Sequence, residues 1–239
     1  MGKYYIDIAG FNLMQIKGLQ STTLDSVLIS DFVKINSKSK QIIDIGSGFG
    51  IISMILARRS KASVIGIEIN KEAYDASLEN KKRNNLENLS FINNDIKNYK
   101  EMFKEQSIDI IVSNPPYFKE SNVDNKKKNE DLNNARFEQT LSIKDIIDIS
   151  KYLLKNRASL YLIFRTERLL EIISYLNNTN LVIKRLKPIY TKFEDEKAII
   201  SMVEIVKDAK NGLILEKPIY IYEKDGKTRN EYIEKLYKG

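Results

Sequence analysis

The stretch DIGSGFG (44–50) sets three glycines at alternate positions between a run of strand formers and an apolar helical pattern. Glycines there let the backbone turn sharply and come close to a ligand, with a helix N-terminus behind it. The spacing, G-x-G-x-G, is not the G-x-G-x-x-G that cradles a pyrophosphate. Asp44, at the strand end, disfavours a phosphate and suits an ammonium group. Glu68 ends the next strand, 22 residues after Gly46, where a carboxylate can hold both hydroxyls of a ribose. Asp95 ends a third strand and can accept a hydrogen bond from an adenine amine. Three carboxylates at successive strand ends, with glycines beneath, describe a site for a cationic nucleoside.

S-adenosylmethionine is such a molecule. A second cluster follows the fourth strand, where IVSNPPYFKE (111–120) holds two of the four prolines side by side. A proline pair removes backbone donors and stops a strand. Asn114 offers a side-chain carbonyl and Pro115 a backbone carbonyl without a competing N–H. Pro116 fixes the corner and Tyr117 presents an aromatic face. Two converging acceptors and a stacking ring suit a planar amide or an aromatic amine. Such a nitrogen is a poor nucleophile because its lone pair is delocalised. Accepting both of its hydrogens favours the pyramidal form and aims the lone pair at a methyl donor.

Elements in series must position these groups. A short helix is expected within 22–34, with Thr22 or Thr23 as cap. Strands are expected at QIIDIG, ASVIGIEIN, LSFINNDI, SIDIIVSN and ASLYLIFR. Between and after them the helical patterns are FGIISMILARR, KEAYDASLENKKRNN, SIKDIIDISKYLLKN (capped by Ser142 with Asp145 three residues on) and ERLLEIISYLNN. Strand–helix alternation predicts a parallel α/β sheet covered on both faces. LVIKRLKPIY and KAIISMVEIVK are separated only by TKFEDE, too short for a crossover, so they are expected to pair antiparallel. The 239 residues suit one large domain, with an N-terminal extension over 1–40, a long polar loop over 119–140 and a tail over 208–239.

Composition narrows the chemistry. There is no Cys, His or Trp, which excludes disulfides, the usual zinc sites, a thiol nucleophile and a histidine base. Methylation at a pyrimidine C5, which needs a Cys nucleophile, goes with them. No apolar run is long enough for a membrane span, and the N-terminus does not read as a signal peptide, so no membrane partner, no metal and a cytoplasmic site are expected. The net charge is +7. That fits a nucleic-acid partner, and fits equally the Lys, Asn and Ile richness of an AT-biased genome.

DIGSGFG, GIEIN, NNDI and VSNPPYF resemble the class I methyltransferases that act on amino nitrogens. Beyond those motifs, LDSVLISDF, ARFEQTLSIKDIIDISKYLL, FRTERLLEII, LKPIY and KPIYIYEKDGKTRNEYIEKLY are similar to the bacterial tRNA(Val) adenine-N6 methyltransferases over nearly the whole chain. The resemblance implies a Rossmann-like fold with a seven-stranded, mostly parallel sheet and an antiparallel C-terminal hairpin. It implies a monomer that methylates adenine N6 beside the anticodon of a tRNA, with S-adenosyl-L-homocysteine as product. Cofactor would be held by Asp25, Asp44, Gly46, Ser47, Gly48, Gly50, Glu68, Ile69, Asp95, Ile96 and Asn114. Asn114, Pro115, Pro116 and Tyr117 would hold the target base. Arg136, Arg165 and Arg168 match basic positions of the family, and Lys126, Lys127 and Lys128 are either an added RNA contact or a solvated run. An aromatic pair usual before Asp25 is replaced here by Gln20 and Thr22. Other readings remain: methylation of a glutamine amide in a translation protein such as a release factor, DNA adenine methylation, or an inactive RNA-binding protein of this fold. Release-factor enzymes carry a helical N-terminal domain, for which a glycine loop beginning at 46 leaves little chain, and DNA enzymes carry a target-recognition domain that is not evident here.

Overall fold

The computed structural model describes residues 2–115 and 141–239. Pro116, Tyr117, Lys126, Lys127, Lys128, Arg136 and the loop expected over 119–140 lie outside the described residues. The first two strands, β1 (Lys3–Ile8) and β2 (Phe11–Ile16), form an antiparallel hairpin of their own. The sequence reading had only an extension here. The two-residue turn explains why: Ala9 and Gly10 both take positive φ, 51° and 70°. That is the turn matching the twist of a hairpin, but it is usually signalled by Asn-Gly or Asp-Gly rather than Ala-Gly.

Helix α1 (Leu24–Phe32) follows, with Thr23 at its N-cap making no side-chain capping bond. Then strands and helices alternate as β3 (Gln41–Ile45), α2 (Ile51–Arg59), β4 (Ser63–Glu68), α3 (Lys71–Arg83), β5 (Leu89–Asn93), the short α4 (Tyr99–Met102) and β6 (Ile108–Ser113). Beyond residue 140 come α5 (Ile143–Leu153), β7 (Leu154–Arg165), α6 (Leu169–Leu176), β8 (Leu181–Tyr190) and β9 (Ile200–Lys207). The tail adds two-residue strands β10 (Ile214–Leu215) and β11 (Ile219–Tyr220) and helix α7 (Glu231–Lys238). The expected capping box is present on α5, Ser142 and Asp145 each holding the other's backbone N–H.

Seven strands run in the order β8-β9-β7-β6-β3-β4-β5, with β10 and β11 both on the outer side of β8. From β5 to β7 all neighbours are parallel. Strand β9 is antiparallel to both β7 and β8, so the expected C-terminal hairpin is there. Because β8 thereby runs the same way as β7, six of these seven strands end on one edge. Period-two alternation sends Ile42 of β3 into the layer of α1, α2, α3 and the N-terminal hairpin, and Ile43 and Ile45 into the layer of α5 and α6. Asp44 therefore points to the first layer, toward α2. The tail is not a loose appendage: Ile233 of α7 is fully buried, Tyr232 donates to Asp31 of α1 at 2.6 Å, and Ala9 N–H donates to the carbonyl of Tyr237 at 2.6 Å.

Candidate active site

The carboxyl ends of β3, β4, β5 and β6 open on one cleft, closed on its far side by residues 19–23 and the first turn of α1. This is where ligands bind in open parallel sheets. The glycine loop forms its floor. Gly46 and Gly48 take φ of 74° and 54°, and a Cβ added to either meets no atom within 4 Å. They face open space. Gly50 has a different task, since it is not in the cleft wall. It caps α2 at φ 91°, and a Cβ there would lie 2.6 Å from the ring of Phe91.

Glu68 stands in the wall and is only 6% exposed. Its Oε2 accepts from the Gly48 N–H at 2.8 Å and its Oε1 from the Asn70 N–H at 2.7 Å. One carboxylate thus joins the glycine loop to the start of α3. Each oxygen keeps a lone pair for a further donor. Burial raises its carboxyl above the ordinary range, against the pull of these amides.

Asp44 is fully buried, beneath the loop rather than in the wall. Its Oδ2 accepts from the N–H and Oγ of Ser53, at 3.1 and 2.6 Å. Among the described residues its Oδ1 has no partner, and neither has the buried Oγ of Ser47, which is in the wall. Burial pushes the Asp44 carboxyl up to about 7, with a smaller contribution in the same direction from Glu68. An anionic group so placed lacks the cation that would hold it charged.

Asp95, read from its place at a strand end, stands in the wall, and so do Ile69 and Ile96, which the family resemblance named. Asp95 caps the turn after it, its Oδ1 accepting from the Lys97 N–H at 2.9 Å. Asn114 and Pro115 are there too, at the end of β6 beside β3, and the Asn114 Nδ2 donates to Ser26 Oγ at 3.3 Å. Asp25, one residue earlier on α1, is outside the wall. Gln20 and Thr22 line it, so the two positions that resemble an aromatic pair do face the site. Their segment is pinned by Gln15, 1% exposed, whose Oε1 accepts from the Thr22 N–H and from Tyr4 Oη, both at 3.1 Å. Sequence reasoning named neither Ser26 nor Gln15, because their partners lie 88 and 7 residues away and no motif marks them.

Arg165 ends β7 on the site edge and is half-exposed. Arg168 is not presented to solvent as an RNA contact requires. It is 7% exposed, and its Nε and Nη2 donate to Glu171, both at 3.2 Å. Among the described residues no helix is long and apolar enough to cross a membrane.

The family model of the methyltransferase small domain matches residues 22–164. A protein of Cytophaga hutchinsonii named tRNA1(Val) (adenine(37)-N6)-methyltransferase is 26% identical over 88% of this chain and 87% of its own. One of Christiangramia forsetii with the same name is 32% identical over 66% and 67%. A release factor glutamine methyltransferase of Fusobacterium nucleatum is 46% identical, over only 32% of this chain and 21% of its own. In fold, a crystal structure described as a predicted O-methyltransferase from Agrobacterium tumefaciens superposes with a TM-score of 0.69, at 17% identity, over 89% and 94% of the two chains. The strand order, the glycine loop held by Glu68 and these likenesses agree that the chain belongs to the methyltransferase small domain family, in the branch of the tRNA1(Val) (adenine(37)-N6)-methyltransferases.

Proposed function

We propose that this protein methylates N6 of the adenine beside the anticodon of tRNA(Val), as a cytoplasmic monomer using S-adenosylmethionine. One observation carries the reading: the strand-end pair Glu68 and Asp95 share a cleft with Asn114 and Pro115, and Asp44 lies buried beneath the glycine loop that floors it. The donor and acceptor set fits the cofactor. Glu68 and Asp95 take the ribose hydroxyls and the adenine amine, the Ser47 hydroxyl has no partner among the described residues, and open space lies beside Gly46 and Gly48. When bound, S-adenosylmethionine supplies a methyl group on a cationic sulfur.

The chain's own work is to place an amine. Asn114 Oδ1 and the Pro115 carbonyl accept the two hydrogens of N6, which localises the nitrogen lone pair and points it into the cleft. Pro115 has no N–H to compete for the same base edge. The amine proton becomes acidic only once the new N–C bond forms, so it leaves to water and no histidine is needed. The likeness to a glutamine methyltransferase covers only 32% of this chain and 21% of that protein. Full-length likeness lies with the tRNA enzymes.

Nucleoside mass spectrometry of an unmodified tRNA(Val) transcript, incubated with protein and cofactor, tests this. N6-methyladenosine is expected at the position beside the anticodon. Asn114→Ala is expected to lower turnover at least about a hundredfold, or about 2.7 kcal/mol, with little change in cofactor affinity. Asn114→Asp keeps an acceptor and should retain more activity than Ala. Methyl label entering protein, or no label in RNA, would overturn the reading.

A further inference from the structure

We infer that Ser26 is a positioning residue: its hydroxyl anchors one end of the Asn114 amide against α1 and so sets the other end toward the substrate. The inference rests on the methyl-transfer reading above.

An asparagine side chain has two nearly isosteric ends of opposite hydrogen-bonding character, one donating and one accepting. An amine that gives up both hydrogens needs the accepting end. A half-turn of the Asn114 amide would set an NH₂ against the target amine, donor against donor, and remove one of the two acceptors. The bond from Nδ2 to Ser26 Oγ at 3.3 Å holds the NH₂ against α1 and leaves Oδ1 with no hydrogen bond among the described residues; the hydroxyl could serve either end of the amide, so Ser26 anchors the side chain and the incoming amine selects its accepting end.

Ser26 is well placed to do this. It is 7% exposed, lies in the first turn of α1 between the cleft and the core, and its neighbours Val27, Leu28 and Ile29 are at most 2% exposed. Its own N–H is engaged with the Thr23 carbonyl at 3.2 Å, and its carbonyl accepts from Ser30 Oγ at 2.6 Å. The backbone of this turn is thus held, and the hydroxyl sits on a rigid element rather than on a loop. On the other side, Ser113 Oγ donates to the Ile45 carbonyl at 2.9 Å, fixing the end of β6 to the end of β3. Asn114 therefore follows directly on a strand end tied to β3, and its amide is held at α1. The ordinary alternative is a bond that only satisfies a half-buried amide. The two differ in what is lost: a satisfying bond affects stability, an orienting bond affects turnover at constant binding.

The test uses Ser26→Ala and Ser26→Thr in the full chain. Two readouts are needed. The first is the pair of Asn114 side-chain ¹⁵N–¹H correlations, assigned by their disappearance in Asn114→Ala. The second is kcat and KM on the tRNA transcript, with S-adenosylhomocysteine affinity by calorimetry. Ser26→Ala is expected to shift the Asn114 pair and lower kcat about tenfold, a loss the size of one net hydrogen bond, with both binding constants within about twofold. Ser26→Thr, which keeps the hydroxyl, should recover kcat to within about threefold of wild type, and Ser26→Ala should add nothing in an Asn114→Ala background. An unmoved Asn114 pair overturns the inference, as does a loss from Ser26→Ala that persists undiminished without Asn114. Unaffected variants of an active wild type defeat this inference alone, whereas a wild type that transfers no methyl to RNA defeats the function proposal and this inference with it.

Discussion

Two buried carboxylates, one on each half of the sheet, meet opposite fates. Glu204 on β9 is 9% exposed and fully provided for. Its Oε1 accepts from Ser159 Oγ and Tyr161 Oη at 3.1 and 2.8 Å, and its Oε2 from Arg185 at 3.0 Å. Arg185 also pairs with Glu216 of the tail, and its guanidinium lies 4.0 Å from the Phe32 ring. Tyr161 feels this arrangement: burial, and then Glu204, raise its hydroxyl above the usual range. Among the described residues Asp44 on β3 has no cation beside it and one oxygen unpaired. Around Glu204 the chain supplies both signs of charge and the result is a fixed frame. Around Asp44 stand a serine, Ser53, and a second carboxylate, Glu68.

That contrast can be broken or sharpened by experiment. Arg185→Ala should have the largest effect, because it strands Glu204 in the interior: about 3–5 kcal/mol of stability, read by urea unfolding. Cofactor affinity of the folded variant should stay within about twofold of wild type, and a parallel collapse of affinity would show that the halves are not separable. Asp44→Asn comes next. The native carboxyl titrates near 7 and the unfolded one near 3.8, so the native state holds the proton more tightly. Stability of the ligand-free protein should therefore fall as pH rises from about 4 to about 7, by on the order of 4 kcal/mol for that shift. Asp44→Asn should abolish most of that fall, and saturating cofactor should flatten it in the wild type. A melting temperature independent of pH in this window would sink the idea of a carboxylate awaiting a cation.

Smaller effects sharpen the picture at the rim. Glu68→Ala should weaken cofactor binding at least about tenfold, about 1.4 kcal/mol, the scale of one charged hydrogen bond. Calorimetry giving wild-type affinity in a folded Glu68→Ala protein would count against its assignment to the ribose. Arg165→Ala should reduce the slope of log affinity for tRNA against log salt by roughly 0.7–0.9, the value for one phosphate contact. An unchanged slope would remove Arg165 from the RNA surface.

Most of the sheet was legible because its strands are short apolar runs stopped by glycine or proline, and because TKFEDE is too short to cross over. The capping box of α5 could be read from Ser142 and Asp145 alone, being a local device. What stayed hidden is what depends on distant partners or unusual backbone. Ala9 at positive φ disguised the hairpin turn. Arg168 reads as an exposed basic residue until Glu171 and the core are seen to claim it. Asp44 was expected to reach the ligand itself, and only packing reveals that it lies under the loop, outside the cleft wall. Ser26 meets Asn114 across 88 residues, a pairing no local pattern encodes.

Strand β9 is the last of the seven long strands to be synthesised, yet it lies between β7 and β8 rather than at an edge. The sheet therefore cannot grow outward strand by strand as the nascent chain emerges. Until residues 200–207 leave the ribosome, β7 shows an open flank and β8 has no long neighbour to pair with. Non-local pairings of this kind are slow, and exposed strand flanks are prone to association. A ribosome stalled just before Ile200 would thus hold a nucleotide-binding half with much of its parallel pairing available and a ragged border beside it. Release of eight further residues would close that border from both sides at once.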